Sequence, residues 1–277
     1  MCAKILIPRQ PYQALLAERY WKKVVLNYGI SHFYECCIGD GVTEIATSVP
    51  DGCIDIMFYW NKDLKEIGAD VLGTLLRPHA VSVHAGCCYF GVRFLPGQPL
   101  LFESLPFSEL VEQAVPLSKN EENLALLERI IMAQNFDERI EAFMKIYLPK
   151  YIVSVRDASA EIINRWMLQK ILEEKGNVRV RELAESMGYS ERYASRIFAQ
   201  YSGITPKKFC RIIRFQNVLQ EIEEQYMSNH SFWEYNENGY YDEAHLIHDF
   251  KEFCGKSPMR FLGEMKNERL TERLKIL

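Results

Sequence analysis

The 277-residue sequence has no run approaching the ~18 uninterrupted apolar residues that a membrane helix needs. Its opening apolar cluster, Ile5-Leu6-Ile7, is cut at once by Pro8, so neither a secretion signal nor a membrane span is expected. No Cys-x-x-Cys pair occurs, which leaves zinc ribbons and thioredoxin-type redox motifs without their ligands. Eight cysteines are too few for a disulfide scaffold in a chain of this length, and reduced thiols in a cytoplasm are the expectation. Large charge excess is missing too: 33 basic side chains stand against 37 acidic ones, and with 48% hydrophobic residues this composition excludes disorder. At ~150 residues per domain the length predicts two domains, each able to bury its own core.

The even balance hides a segregation. Residues 1–159 carry 15 basic and 19 acidic side chains, whereas residues 160–277 carry 18 of each. Between 192 and 220 there are six basic residues, Arg192, Arg196, Lys207, Lys208, Arg211 and Arg214, and no acidic one. A charge run alone reads as a solvated helix face. Its surroundings give it another meaning.

Residues 11–26 have helical spacing. Six short segments then follow: Phe33–Ile38, Glu44–Val49, Cys53–Trp60, Val71–Leu75, Ala80–Ala85 and Cys88–Leu95. They are rich in β-branched and aromatic residues and are punctuated by turns such as Pro50-Asp51-Gly52 and Pro96-Gly97. This spacing predicts a small β-barrel or sandwich. From Phe107 apolar residues recur at three and four positions, predicting two or three helices, with Pro149 ending the last and 150–159 as the domain junction. Beyond 160 the pattern is one of short helices. Arg181–Ser186, a turn at Met187-Gly188-Tyr189 and a helix opened by Ser190 and closed at Gly203 have the helix-turn-helix layout. Thr205-Pro206 starts a long helix reaching about Glu224.

This unit is repeated. Gly188-Tyr189 leads to Phe198 and Gly203-Ile204-Thr205-Pro206; Gly239-Tyr240 leads to Phe250 and Gly255-Lys256-Ser257-Pro258, 51 residues further on at the first glycine. Each glycine supplies a positive φ, and each Thr-Pro or Ser-Pro starts the next helix.

With the double copy on the page, residues 160–265 resemble the tandem helix-turn-helix DNA-binding domain of the AraC/XylS family of transcription regulators, Gly239 to Phe250 followed by Gly255-Lys256-Ser257-Pro258 being the closer copy. The resemblance implies that Arg192 to Tyr201 and Asp242 to Cys254 are recognition helices, held about one DNA turn, roughly 34 Å, apart by the long helix. The second copy departs from the pattern where its supporting helix should lie, with Glu234 and Tyr235 in the places of Leu183 and Ala184. In the first half, Ser48 to Ile56 and Gly91 to Gly97 resemble the cupin-like amino-terminal domain of one branch of the family. The expected fold is therefore α+β with two domains: a cupin-like barrel with flanking helices over 1–150 for sensing or dimerisation, and an all-α DNA-binding domain over 160–265.

Candidate DNA contacts are Arg192, Ser195, Arg196, Lys207, Arg211, Glu243, His245, His248 and Lys251. Arg192 and Arg196, four apart, share a helix face and can reach base edges or phosphates; Glu243 can accept from a cytosine amino group. His245 serves either DNA contact or helix packing. His245 and His248 lack partners spaced to complete a metal site, and His32, His79 and His84 lack the clustered pattern of metal-dependent cupins, so no metal and no cofactor are expected. Candidate effector contacts inside the barrel are Phe33, Cys53, Met57, Tyr59, His84, Tyr89 and Arg93, although the alternation does not fix which strand face is inward. In each vicinal pair, Cys36-Cys37 and Cys87-Cys88, one side chain should point inward, as a small buried hydrophobe or as a sensor. The expected partners are promoter DNA, a small-molecule effector, a second copy of the chain and, for an activator, RNA polymerase. The competing reading is a cupin-type metalloenzyme, or a cysteine-based alkyl acceptor, with a DNA-targeting module.

Overall fold

The computed structural model describes residues 7–11, 19–39, 45–82, 84–98, 101–103, 105–156, 162–228, 239–267 and 274–276. It begins with a departure from the expected helix over 11–26: Arg19–Asn27 form a strand, β1. Aromatic and β-branched residues such as Trp21, Val24 and Val25 suit a strand. A hairpin turn fixes their partner, because Tyr28 and Gly29 adopt φ of 55° and 74° and so match the strand twist. The Asn27 side chain accepts from the Tyr28 amide at 2.8 Å, and β1 pairs with β2 (Ile30–Cys37).

The remaining strands are β3 (Ile45–Ser48), β4 (Ile54–Asn61), β5 (Ile67–Leu72), β6 (His79–Ser82), β7 (Cys87–Phe94), β8 (Ala114–Pro116) and β9 (Leu274–Ile276). Seven form one sheet in the order β8-β5-β4-β7-β2-β1-β9, and β3 pairs with β6 in a second. Among the described residues no ladder joins the two sheets or their edges. The first half is thus a β-rich layered unit, and a closed barrel is not what its ladders describe.

The alternation that is ambiguous in sequence resolves on β4. Ile54, Ile56 and Phe58 face α2 (Glu121–Met132) and α3 (Phe136–Arg156), together with Phe33, Val71, Phe90, Val92 and Phe94. Phe33 lies 6.0 Å from Phe90 and 5.8 Å from Phe143, ring to ring. Each such side chain contributes roughly 1.5–3 kcal/mol on full burial, which locks the strand parity. Helix α3 also corrects the expected stop at Pro149, since it continues to Arg156. The missing amide bond is outweighed by side-chain anchorage: Tyr147 is fully buried and donates to the Tyr28 carbonyl at 2.7 Å, and Lys150 meets Glu122 at 2.8 Å.

Beyond a short α1 (Phe107–Leu110), the elements between residues 162 and 267 are helices: α4 (Ile162–Glu173), α5 (Val180–Ser186), α6 (Glu191–Ser202), α7 (Pro206–Ser228), α8 (Glu243–Cys254) and α9 (Pro258–Asn267). The repeat is visible in its caps. Ser190 and Asp242 accept from the amides of Tyr193 (3.3 Å) and His245 (2.7 Å), while Gly203 and Gly255 close the helices at φ 74° and 77°. The stretch around Glu234 and Tyr235, where the supporting helix of the second unit is expected, lies outside the described residues.

The two halves share one apolar cluster, in which Tyr20, Tyr34 and Tyr89 join Phe198, Phe209 and Ile213. The Pro50–Gly52 turn docks on α7. Gly52 has φ 78°, and a Cβ there would stand 2.6 Å from the Phe209 ring. Gln216, with no exposed surface, donates to the Pro50 carbonyl at 2.8 Å and accepts from the Arg9 amide at 2.8 Å. Arg9 also reaches Glu223 at 3.2 Å.

The expectation that the thiols are reduced is corrected at one pair. Cys37 and Cys88 face each other in the β2–β7 register, Cα atoms 4.0 Å apart, and form a disulfide. Their neighbours Cys36 and Cys87 point to the other face and stay as buried thiols.

Candidate nucleic-acid interface and the cavity beneath the small sheet

Helix α6 stands on Ala194 and Phe198, both fully buried, which leaves Arg192, Tyr193 and Arg196 on the open face. Among the described residues neither arginine has an ion pair or a hydrogen bond. Arg196 lies over the Tyr193 ring at 5.4 Å, and Tyr193 stacks on Tyr189 at 5.2 Å. This rigid aromatic step holds the guanidinium off its own helix. Ser195 is half-buried beside them, and Lys207 at the start of α7 is exposed.

The rest of the basic stripe is used internally. Arg211 donates to Asp249 at 2.7 Å and also to Glu252, and Lys208 meets Glu252 at 2.6 Å. Arg214 donates to the Gly176 carbonyl at 2.9 Å. Asp249 is only 1% exposed on the apolar face of α8, so the Arg211 guanidinium is its counter-charge. The expectation of Arg211 as a DNA contact is therefore corrected: it clasps α7 to α8. An acidic residue among Leu246, Phe250 and Phe253 is the signal that could have revealed this clasp, because a buried carboxylate needs a cation.

On α8, Glu243, His248 and Lys251 are exposed. His245 is half-buried, packed edge-on against Tyr240 at 5.2 Å. His248, Asp249 and Glu252 offer three metal-ligating atoms within 4.8 Å of one another, but both carboxylates already hold Arg211, and Glu252 holds Lys208 as well. A metal would have to displace two cations.

A second concave site lies between the large sheet and β3–β6, a cavity of about 300 Å³. Of the expected effector contacts it collects Cys53, Met57 and Arg93. Tyr59 and Tyr89 are not among its lining residues; the Tyr89 hydroxyl accepts from the His84 amide at 2.8 Å, and the exposed His84 side chain stands 3.7 Å from Glu66. Phe33 is corrected outright, because it packs on the helix-covered face. Arg93 anchors the wall: its guanidinium donates twice to Asp55 and once to Asp51, each at 2.7 Å. Tyr34 donates to Asp55 at 2.9 Å, and the Cys53 amide to Asp51 at 2.9 Å.

Burial disfavours the reactive thiolate at Cys36, Cys53, Cys87 and Cys210. Burial pushes Cys36 up to about 12 and Cys87 and Cys210 to about 11, and raises Cys53 well above the ordinary range. This arrangement gives no support to a cysteine-based alkyl acceptor.

Comparison with known families returns two matches. A family described as "Helix-turn-helix domain" matches residues 183–264, from α5 into α9 and so across both glycine turns. A family described as "Domain of unknown function (DUF6597)" matches residues 25–116, from the end of β1 through β8. No curated protein and no solved structure matches the chain. No helix among the described residues is long and apolar enough to cross a membrane.

Proposed function

Because the chain belongs to the AraC/XylS family of transcription regulators, we propose that it is a sequence-specific regulator in which residues 160–265 read an operator and residues 1–150 receive the signal. The observation that carries this reading is the unpaired cation pair on α6. In a stripe of six basic residues, Lys208, Arg211 and Arg214 are neutralised or bound within the fold, while Arg192 and Arg196 are presented outward on a helix-turn-helix unit. They suit bidentate recognition of guanine. Ser195 and Lys207 add base or phosphate contacts beside them, and Glu243, His248 and Lys251 form the corresponding face of α8, with His245 chiefly a packing residue. Helix α7 has 23 residues, so at about 1.5 Å per residue it is ~34 Å long, which suits two helices in successive major grooves.

The cupin-like segments, the cavity and the continuous core with α7 support the first half as the signal-receiving and dimerising part. Activation would add RNA polymerase to the partners, and no step of the reading requires catalysis. Selection of bound fragments from random DNA, followed by titration of the winner at several salt concentrations, tests it. A defined motif with affinity falling steeply as salt rises is expected; binding without sequence preference, or none, refutes it.

A further inference from the structure

The cavity between the sheets has an uneven distribution of partners. Arg93, its one lining arginine, is paired with both Asp51 and Asp55. Gln10 is likewise closed, donating to the Val49 carbonyl at 2.7 Å and to Asp51 at 3.0 Å while accepting from the Val49 amide at 2.9 Å. Glu112 is paired with Arg77 at 3.0 Å. Asp70 differs. It sits on β5 opposite Met57, half-buried, and has no hydrogen-bond or ion-pair partner among the described residues. Burial is the larger influence on its carboxyl and pushes it upward from the ordinary value, while His84 acts in the opposite direction. Met57, Leu72, Leu75 and Val49 supply an apolar surround.

We infer that this cavity binds a small organic cation, a primary amine with a short apolar body, whose ammonium pairs with Asp70 while the body packs on Met57, Leu72 and Leu75. An anion would face Asp51, Asp55 and Asp70 together, and the buried cation of this wall, Arg93, is already shared between two of them; the other polar donors of the lining are His79, Ser48 and Gln113. At about 300 Å³ the space lies at the small end of ligand pockets. The inference rests on the signal-receiving role proposed above and specifies its ligand. The same wall offers a route to the DNA-binding half: Val49 and Asp51 flank Pro50, whose carbonyl accepts from Gln216 on α7, and Gly52 abuts Phe209.

The test uses the full chain and probes of similar apolar body and opposite charge: butylamine, isoamylamine and cyclohexylamine against butyrate, isovalerate and cyclohexanecarboxylate. Calorimetric titration without DNA should show binding of at least one amine and of no carboxylate. Asp70→Asn, which keeps the shape and removes the charge, should weaken the amine at least tenfold while leaving the melting temperature of the free protein close to the parent value. Should that variant fold poorly, Met57→Trp, which fills the cavity from the opposing strand, should abolish amine binding in its place. Carboxylate binding, amine binding indifferent to both variants, or no amine binding at millimolar concentration overturns the inference. Because DNA is absent from these titrations, their outcome is independent of whether the chain proves to bind an operator.

Discussion

Replacing Arg93 by Met should damage the fold more than any surface substitution, and in a way that depends on pH. The guanidinium is 7% exposed, and its carboxylate partners Asp51 and Asp55 are 6% and 3% exposed. Removing the cation leaves two buried acids facing each other, a change that costs about 3–5 kcal/mol when one member of a buried pair is deleted. At roughly 2–4 °C per kcal/mol, the melting temperature should fall by about 10 °C. Without the arginine, like-charge repulsion raises the proton affinity of the acid pair above that of the unfolded chain. The folded variant then binds more protons than its unfolded form through the mildly acidic range, so its stability rises as pH falls. Urea denaturation of parent and variant at pH 7 and pH 5 should therefore show a deficit that shrinks on acidification. The triple variant D51N/D55N/R93M should recover much of it. A deficit below about 1 kcal/mol, the value of a solvated pair, or one equal at both pH values, would refute the buried-network reasoning.

Arg196→Ala should cost roughly 1–3 kcal/mol of specific DNA binding and relax preference at one base pair, read by competition with single-position operator variants; a uniform loss across sequences would reassign it to phosphate. Lys207→Ala should instead weaken all sequences alike and reduce the salt slope by about one unit. Gly52→Ala should loosen the seam between the halves, because φ 78° and the Phe209 ring both oppose a Cβ, and faster hydrogen exchange along α7 would report it. Burial, with Arg9 and Arg93 nearby, lowers the Lys22 ammonium to about 8. The folded chain thus loses this proton before the unfolded chain does, stability should climb as pH rises from 8 towards 10.5, and Lys22→Met should flatten that climb in denaturant titrations.

The helical half is legible in the sequence because its signals are local. Ser190 and Asp242 as caps, Gly203 and Gly255 as stops, and the positive-φ glycines of both turns each act within one turn of chain. What fails are the places where distant contacts override local preference. The spacing over 11–26 suggests a helix, yet the Tyr28-Gly29 turn recruits β1 to the sheet. Pro149 reads as a stop, yet Tyr147 on one side of it is pinned to Tyr28. The parity of Ile54 to Phe58 is undecided until α2 and α3 cover one face. For the site, the exposed Arg192 and Arg196 follow from helix spacing, whereas the internal employment of Arg211 depends on Asp249, 38 residues away in sequence.

That last pairing bears on how a signal could travel through the chain. Helix α7 carries contacts of opposite kinds along its length: Lys208 and Arg211 tie it to α8 through ion pairs, while Phe209 and Gln216 tie it to the Pro50–Gly52 turn of the first half. Both sets are short and directional, and Gln216 is buried so fully that losing the Pro50 carbonyl would leave its amide without a solvent substitute. The contact at Gly52 is close, since a Cβ there would stand 2.6 Å from the Phe209 ring. On the function proposed above, a signal received in the first half would reach α7, the helix between the two glycine turns, through these contacts.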